Sequence, residues 1–229
     1  MPIKISVLKE TRLEERRVAL VPSVADKLVK LGAVLSVQSG AGDAANLPDA
    51  AFKNVVFVSD PRSLVGDADI VLAVQPPAPE TVRAMKGGAI LLSFVYANKE
   101  PALVDLLRQK NITSFAMERV PRISRAQAMD ALSSQAALAG YYAALLGATH
   151  LARVFPRMTT AVGSLRPATV LVMGLGVAGC RRSRPRIDSA PSSKAMTFGP
   201  RPREKRLRSA QNSSIPASTP QAKAAMRAN

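Results

Sequence analysis

The chain has 229 residues, 47% of them hydrophobic and 21% charged, which suits one large or two small globular domains with a sizeable core. It carries 32 Lys and Arg against 16 Asp and Glu, a formal net charge of +16. The single Cys180 and the single His150 exclude a disulfide framework and a multi-Cys or His-rich metal centre, so no metal site is expected. No signal-peptide pattern and no apolar run near the roughly 20 residues of a membrane span are found, which predicts a cytoplasmic protein.

The positive charge is concentrated in residues 180–229, which hold twelve basic residues and two acids, Asp188 and Glu204. Such a balance is typical of nucleic-acid-binding proteins, and this is one alternative function. The segment has one aromatic residue, Phe198, and no recognisable RNA- or DNA-binding pattern, so nucleic acid is not the favoured partner. Its six Pro, eight Ser and lack of Val predict a disordered tail.

Strands and helices alternate through residues 1–124. Strands are predicted at 3–8, 33–40, 54–59, 68–75, 88–96 and 112–118, with helices at 22–31, 80–85 and 101–110. Strands 68–75 and 88–96 are almost wholly apolar, which is typical of a parallel sheet covered by helices on both faces. These residues therefore predict an N-terminal α/β lobe with an open sheet.

The character of the chain changes after residue 124. Residues 125–154 are Ala-rich and lack Pro, which predicts one extended helix that bridges two domains. A loop over 156–168 leads into an apolar strand, so residues 155–179 predict the start of a second Rossmann-like lobe. The predicted fold class is α/β with two Rossmann-like lobes, the second incomplete, followed by the disordered tail at 180–229.

A glycine fingerprint follows that strand directly, as Gly174-Leu175-Gly176-Val177-Ala178-Gly179. Gly174 permits a tight turn, Gly176 lets the backbone approach a pyrophosphate, and Gly179 lets a following helix pack closely. Together with Val177 and Ala178, these glycines are candidate cofactor-binding residues. A glycine-rich turn without a ligand is the alternative interpretation.

The remainder of a dinucleotide-binding unit is not found in the sequence after this fingerprint. A helix, a second strand and an acidic residue about 20 positions further on would be expected. Asp188 comes too early and lies among Pro, Ser and Arg. The sequence therefore predicts a nucleotide fold that begins here and is not completed.

A second group of polar residues lies where a loop enters the long helix. Arg122 can pair with a phosphate or carboxylate, and Gln127 can both donate to and accept from an amide. Asp130 and Ser133 are three residues apart, which predicts that they share one helix face. The alternative is structural, with Ser124 as a helix N-cap and the charges around it solvated.

The string PRISRAQAMDALSSQ at 121–135 resembles the NAD(H)-binding domain of the alpha subunit of proton-translocating nicotinamide nucleotide transhydrogenase. The resemblance covers roughly residues 1–179 and includes KETRLEERRVALVPSVADKLVKLGA, SGAGDAA, LLSFVYANKEPALVDLL and VLVMGLGVAG. It implies that NAD(H) binds here and exchanges a hydride with NADP(H) held on a partner domain. By resemblance, Arg122, Gln127 and Asp130 form the catalytic and cofactor-binding loop, and Ser133 contacts the nicotinamide carboxamide.

The resemblance also implies a homodimer, a transhydrogenase membrane domain that moves protons, and an NADP(H)-binding beta subunit. The chain would then lie on the cytoplasmic or inner membrane through these partners. The chemistry consists mainly of positioning two nicotinamide rings, so it needs no nucleophile, metal or histidine from this chain. Because half of the cofactor site is missing, the chain alone is expected to be inactive.

Alanine dehydrogenase, a relative of that family, is the alternative enzyme. It shares the Arg-Val-Ala-Leu motif, seen here at 17–20. Its substrate lysine is expected where this chain has Ala73, and its catalytic histidine near Phe94 and Tyr96. Without those two groups, reduction of pyruvate lacks its machinery. Arg17 is therefore predicted to form a structural ion pair.

The abrupt change at Gly179 suggests an out-of-frame tail. In the resembled family the fingerprint continues Gly-Leu-Gln-Ala-Ile, and loss of one base from plausible GC-rich codons for it encodes Gly-Cys-Arg-Arg-Ser, the sequence at 179–183. The family's Gly-Tyr-Asp-Val-Arg-Pro, read in the same shifted frame, gives Ala-Met-Thr-Phe-Gly-Pro, the sequence at 195–200. We therefore hypothesise that residues 180–229 are translated out of frame.

Overall fold

The computed structural model describes residues 2–155, 158–165, 168–174, 176–182 and 192–196. The chain divides into two compact units, Met1–Ala131 and Leu132–Asn229, so the division falls at the start of the long helix. The disorder predicted for residues 180–229 lies largely outside the described residues. Each unit is built around parallel strands.

The first unit contains a six-stranded parallel sheet. Its strands are β1 (Lys4–Val7), β2 (Val34–Gln38), β3 (Val56–Val58), β4 (Ile70–Leu72), β5 (Ile90–Ser93) and β6 (Thr113–Ala116). The strand order is β3-β2-β1-β4-β5-β6, and Val7 on β1 lies between Val37 and Leu72 in register. This confirms the predicted open parallel sheet.

Four helices connect these strands. They are α1 (Pro22–Lys30), α2 (Pro61–Gly66), α3 (Pro79–Ala84) and α4 (Pro101–Gln109). Each has Pro in its first turn, where a missing N–H costs no helical hydrogen bond. The sequence prediction missed α2, whose start is stabilised by the Asp60 carboxylate, which accepts a 2.8 Å hydrogen bond from the Ser63 N–H.

Both faces of the sheet are buried. Val71 on β4 belongs to a core cluster with residues of α2, α3 and α4, whereas its neighbours Ile70 and Leu72 pack against a second cluster that includes Ala25 of α1. Ser6 on β1 is buried, and its hydroxyl donates a 2.8 Å hydrogen bond to the Leu64 carbonyl of α2. Burial on two sides explains why these strands read as continuous apolar runs.

The long helix is shorter than predicted at both ends. Residues Ser124–Met129 form a 3-10 helix, and the α-helix α5 covers Ala131–His150, where one helix over 125–154 was predicted. Asp130 interrupts the helical conformation with ψ +82°. Asp favours positions just before helices because its short side chain competes for backbone donors there.

The second unit contains three features that the sequence prediction missed: a β-hairpin, a helix and a strand. A β-hairpin of β7 (Met158–Thr160) and β8 (Gly163–Leu165) lies within the predicted loop at 156–168. The predicted strand is present as β9 (Thr169–Met173), and it is followed by α6 (Val177–Arg182). A further strand, β10 (Ser192–Met196), pairs in parallel with β9.

The helix α6 and the strand β10 supply the helix and second strand that the sequence analysis did not find after the fingerprint. The composition of this stretch gave no strand signal, because it is rich in Pro, Ser and Arg. Strand pairing is made by backbone N–H and C=O groups, which every extended segment carries. The open edge of the apolar β9 can therefore pair with a segment of any composition. The pairing of Ala195 opposite Val172 follows from that edge.

Candidate functional site

The glycine-rich turn begins directly after β9. Gly174 has φ +89°, a conformation that L side chains rarely adopt, and it turns the chain out of the strand. A Cβ atom at Gly179 would lie 2.0 Å from the Gly174 carbonyl oxygen, so only glycine fits there. A Cβ atom at Gly176 would meet no atom of the described residues within 4 Å. The turn thus combines a tight bend, close packing and an open approach, which are the three requirements of a pyrophosphate-binding turn.

The strand and helix expected beyond this turn are present, but the acidic residue is not found among the described positions. Val177 and Ala178 begin α6, and β10 follows at Ser192–Met196. No residue of β10 is Asp or Glu. Asp188 lies outside the described residues. The described part of the unit therefore offers no carboxylate for an adenosine ribose.

The four polar residues singled out at 122–133 follow one another along the chain. Arg122 lies just before the 3-10 helix and Gln127 lies within it, and both side chains are exposed. Asp130 is half-buried and directly precedes α5, whereas Ser133 lies in the first turn of α5. The prediction that Asp130 and Ser133 share one helix face is therefore wrong, because Asp130 is not helical. The first three belong to the first unit and Ser133 to the second.

Of the structural alternative for this loop, the assignment of Ser124 as the helix N-cap is wrong, whereas Arg125 is exposed, as that alternative expects. Ile123 occupies the N-cap position of the 3-10 helix, with no side-chain cap hydrogen bond. The loop is held by backbone hydrogen bonds instead, among them 3.0 Å from the Ala126 N–H to the Ile123 carbonyl. Ala126 is buried there.

The first unit has a cleft at the carboxyl ends of β1 and β4. The strand order reverses direction between these two strands, and open α/β sheets bind ligands at such a switch point. The cleft has a volume of about 390 Å³. Its charged and amide lining includes Lys9, Glu10, Arg12, Arg62 and Gln75.

Arg17 forms an ion pair with Glu15 close to this cleft. The guanidinium donates from Nε to Oε1 at 2.7 Å and from Nη2 to Oε2 at 2.5 Å, and the Gln75 amide donates to Oε2 at 2.8 Å. The hydrogen bonds from Arg17, with help from Gln75, lower the pKa of Glu15 to about 2. The same pair raises the pKa of Arg17. The structure therefore confirms Arg17 as an ion-pair residue.

Two further carboxylates bind the chain where it leaves β4 and β5. Glu10 accepts from the N–H groups of Val74 at 2.6 Å and Gln75 at 3.1 Å. Glu118 accepts from the N–H of Tyr96 at 2.7 Å and from the preceding N–H at 3.1 Å. Burial raises the pKa of Glu10, although the two N–H donors oppose this rise. These carboxylates satisfy backbone donors and hold the strand ends in place.

The positions at which alanine dehydrogenase would carry its lysine and histidine are occupied by side chains of another kind. Ala73 is buried at the end of β4, and its N–H donates to the Leu92 carbonyl at 3.1 Å. Phe94 and Tyr96 stack with their ring centroids 5.7 Å apart, and the Lys99 Nζ lies 5.9 Å from the centroid of the Tyr96 ring. This arrangement is aromatic packing, and it supplies no imidazole for proton transfer.

Among the described residues, no group of three or more His, Cys, Asp and Glu side chains could hold a metal ion. None of the helices described is long and apolar enough to cross a bilayer.

The fold and the glycine turn together define a class of protein, namely an α/β protein with Rossmann-like units of the NAD-binding oxidoreductase type. The sequence model of the alanine dehydrogenase/PNT N-terminal domain matches residues 6–139, and that of the C-terminal domain matches residues 143–185. The chain belongs to the alanine dehydrogenase/PNT family.

Individual relatives agree with this assignment. The first part of NAD(P) transhydrogenase subunit alpha from Rhodospirillum rubrum is 44% identical to this chain over 184 residues. These residues are 77% of this chain and 48% of that protein. NAD(P) transhydrogenase subunit alpha of Haemophilus influenzae is 40% identical, over 76% of this chain and 34% of that protein. Alanine dehydrogenase of Mycobacterium tuberculosis is 30% identical, over 80% of this chain and 50% of that protein. The chain thus spans half or less of the length of these relatives.

Among solved structures, a transhydrogenase from Sinorhizobium meliloti superposes with a TM-score of 0.84 at 31% identity, over 94% of this chain and 64% of that one. An L-alanine dehydrogenase superposes with a TM-score of 0.69 at 23% identity, over 79% of this chain and 50% of that one, which shows a shared fold.

Proposed function

We propose that the chain is the NAD(H)-binding part of a transhydrogenase alpha subunit, which in the assembled enzyme exchanges a hydride with NADP(H) and couples this exchange to proton translocation. The observation that carries the proposal is the turn after β9, where Gly174 bends the chain, Gly179 packs against it and Gly176 faces open space. The 44% identity to a transhydrogenase alpha subunit supports it. The residues of the turn fit a pyrophosphate because a phosphate oxygen can approach the backbone where no Cβ intervenes.

In this proposal the backbone around Gly176, Val177 and Ala178 binds the pyrophosphate. Arg122 and Gln127 are exposed, so both side chains can reach a bound cofactor in this proposal. The assignment of Arg122, Gln127 and Asp130 to catalysis, and of Ser133 to the nicotinamide carboxamide, rests on the resemblance at 121–135.

Bound NAD(H) would supply the hydride chemistry, and the residues of this chain would orient the ring and exclude competing reactions. We propose that NADP(H) is held by a beta subunit, that the chain works as a homodimer, and that it reaches the membrane through a separate membrane domain. The relatives from Rhodospirillum rubrum and Haemophilus influenzae are named as a part of an alpha subunit and as an alpha subunit, which implies partner subunits. Without these partners the chain has no hydride acceptor, so we propose that by itself it binds cofactor without turnover.

Alanine dehydrogenase activity is the less favoured function. Oxidation of alanine requires a group that takes up a proton and a cation that binds the substrate carboxylate. Here Ala73 occupies the expected lysine position, and Arg17 donates two hydrogen bonds to Glu15. Hydride exchange between two nicotinamide rings requires neither group, so the structure of the cleft favours the transhydrogenase function.

Titration of the full chain with NADH, followed by NADH fluorescence, tests the proposal. We expect a saturable response, and Gly176→Ala is expected to raise the Kd by about tenfold or more because the new methyl group fills the approach to the backbone. The variant should fold normally, since a Cβ there meets no described atom within 4 Å.

Gly66→Ala is the matched control, because Gly66 lies in α2, its added Cβ would come no closer than 3.9 Å to a neighbour, and it is far in sequence from the turn. Its Kd for NADH should equal that of the unsubstituted chain. Retention on DNA-cellulose is measured in parallel. Failure of the unsubstituted chain to respond to NADH, combined with DNA retention at physiological salt, would refute the proposal and favour the nucleic-acid alternative.

A further inference from the structure

The helix α5 has an unusual distribution of burial. Of its twenty residues only Gly140 is buried, although the helix is apolar on all sides and exposes Leu138, Tyr141 and Tyr142. Glycine in a helix interior is less favourable than alanine. A buried glycine in such a helix therefore requires an explanation from packing.

The explanation lies in the backbone of α6. A Cβ atom at Gly140 would lie 2.2 Å from the Ala178 carbonyl oxygen, and 2.8 Å from both its carbonyl carbon and its Cα atom. All three are backbone atoms, which cannot rotate away as the end of a side chain can. The two helices therefore approach so closely that only a hydrogen atom fits between them at this point.

Ala178 is itself part of the glycine turn, next to Gly179. A Cβ at Gly179 would lie 2.0 Å from the Gly174 carbonyl oxygen and 3.4 Å from a methyl group of Val172 on β9. This part of the turn is thus enclosed on one side by its own strand and on the other by α5. The backbone at Ala178 therefore cannot move towards β9 without a clash.

We propose that Gly140 is a positioning residue for dinucleotide binding, because it lets α5 support the backbone of the turn at Ala178. This inference rests on the proposed function and adds to it a residue outside the fingerprint. A methyl group at 140 would need a shift of about 1 Å to change a 2.2 Å approach into an ordinary contact. Hydrogen bonds from the turn to a pyrophosphate tolerate a few tenths of an ångström, so such a shift would break them.

Helix propensity alone predicts the opposite result for Gly140→Ala. Alanine is the most favourable helix residue and glycine one of the least, so the substitution would raise the melting temperature if the contact were absent. The matched control is Ala143→Gly, at an exposed position one turn further along α5. It changes propensity in the reverse sense and should lower the melting temperature without affecting the turn.

The test measures amide hydrogen exchange of the full chain by mass spectrometry without ligand, together with the Kd for NADH. For Gly140→Ala we expect faster exchange at residues 176–179, unchanged exchange in β1, and a Kd raised by about tenfold or more. Ala143→Gly should keep both the exchange at 176–179 and the Kd of the unsubstituted chain. The inference is overturned if Gly140→Ala raises the melting temperature and binds NADH as well as the unsubstituted chain does.

A measurement on the unsubstituted chain keeps the inference testable if Gly140→Ala does not fold. Saturating NADH is expected to slow amide exchange in α5 around residues 138–142, because the ligand fixes the turn that these residues contact. Unchanged exchange there, with NADH bound, would contradict the inference. Absence of any NADH binding by the unsubstituted chain would instead refute the proposed function. Where Gly140→Ala folds, its ligand-free exchange at residues 176–179 then decides whether the contact positions the turn.

Discussion

Replacing Glu15 by glutamine tests its ion pair with Arg17, which lies beside the cleft of the first unit and contacts the lining residue Gln75. The substitution keeps the shape of the side chain and removes its charge. Glu15 accepts hydrogen bonds from Arg17 and Gln75, and its side chain is only 9% exposed. The glutamine could not accept the bidentate guanidinium with both atoms, because one of its oxygens is replaced by an NH₂ donor. We therefore expect Glu15→Gln to destabilise the chain.

The size of the effect follows from the pKa of Glu15, which folding lowers from 4.5 to about 2. A shift of that size corresponds to roughly 3 kcal/mol for a fully shielded group. The Arg17 side chain is 39% exposed, so solvent screens the pair and about 1–2 kcal/mol is expected at pH 7. Because the folded pKa is the lower one, this stabilisation is complete above about pH 4.5 and is lost as the pH falls towards 2.

Urea unfolding followed by circular dichroism at pH 7 and pH 3 measures both quantities. The difference in unfolding free energy between the unsubstituted chain and Glu15→Gln should fall at pH 3 to roughly 40% of its value at pH 7. Glu14→Gln is the control, since Glu14 is the exposed neighbour and loses the same charge. It should change stability by less than about 0.5 kcal/mol. Equal effects of the two substitutions, or a difference that does not depend on pH, would refute the reasoning.

Three further predictions concern other parts of the chain. Glu118→Gln should lower the free energy of unfolding in urea by about 1–2 kcal/mol, because Glu118 accepts hydrogen bonds from two backbone N–H groups. The control Glu100→Gln breaks an exposed ion pair with Arg12 and should cost under about 1 kcal/mol. A larger effect of Glu100→Gln would contradict the role of Glu118 in holding the backbone. In competition titrations the Kd for NADPH should lie within about tenfold of the Kd for NADH, because β10 has no carboxylate that would repel a 2′-phosphate. A larger difference between the two Kd values would show that another acidic residue repels the phosphate. Sequencing of the coding DNA tests the out-of-frame hypothesis: restoring one base near codon 180 should recover Gly-Leu-Gln-Ala-Ile after the fingerprint, and a restored frame without that helix would contradict the hypothesis.

The sheet of the first unit could be predicted because its signals are local. Strands buried on both faces read as apolar runs, as at 68–75 and 88–96, and helices such as α1 begin at Pro and end near a glycine. The helix α2 was missed although α3, which also has six residues, was predicted, so its length alone does not explain the difference. Its signal was the Asp60-Pro61 start, with Ser63 three residues after the Asp.

The glycine fingerprint was predictable for the same reason, since the three glycines and the preceding strand are contiguous in the sequence. The contact of Gly140 with Ala178 was not, because it joins residues 38 positions apart and glycine in an Ala-rich helix carries no signal of its own. The strand β10 was missed because its pairing depends on the edge of β9 and not on its own composition. Long-range packing and edge pairing are decided by the folded partner, which a local pattern does not specify.

The Arg-Val-Ala-Leu motif at 17–20 shows what a shared motif leaves undecided between two functions. The Nε–Nη2 edge of Arg17 is bound to Glu15, which leaves the Nη1 side of the guanidinium for any further partner. The motif therefore fits both a structural ion pair and an arginine that also binds a carboxylate, and it does not separate the two functions. The positions that separate them lie outside the motif, because Ala73 stands where the substrate lysine of alanine dehydrogenase is expected and Phe94 and Tyr96 stand near its expected histidine.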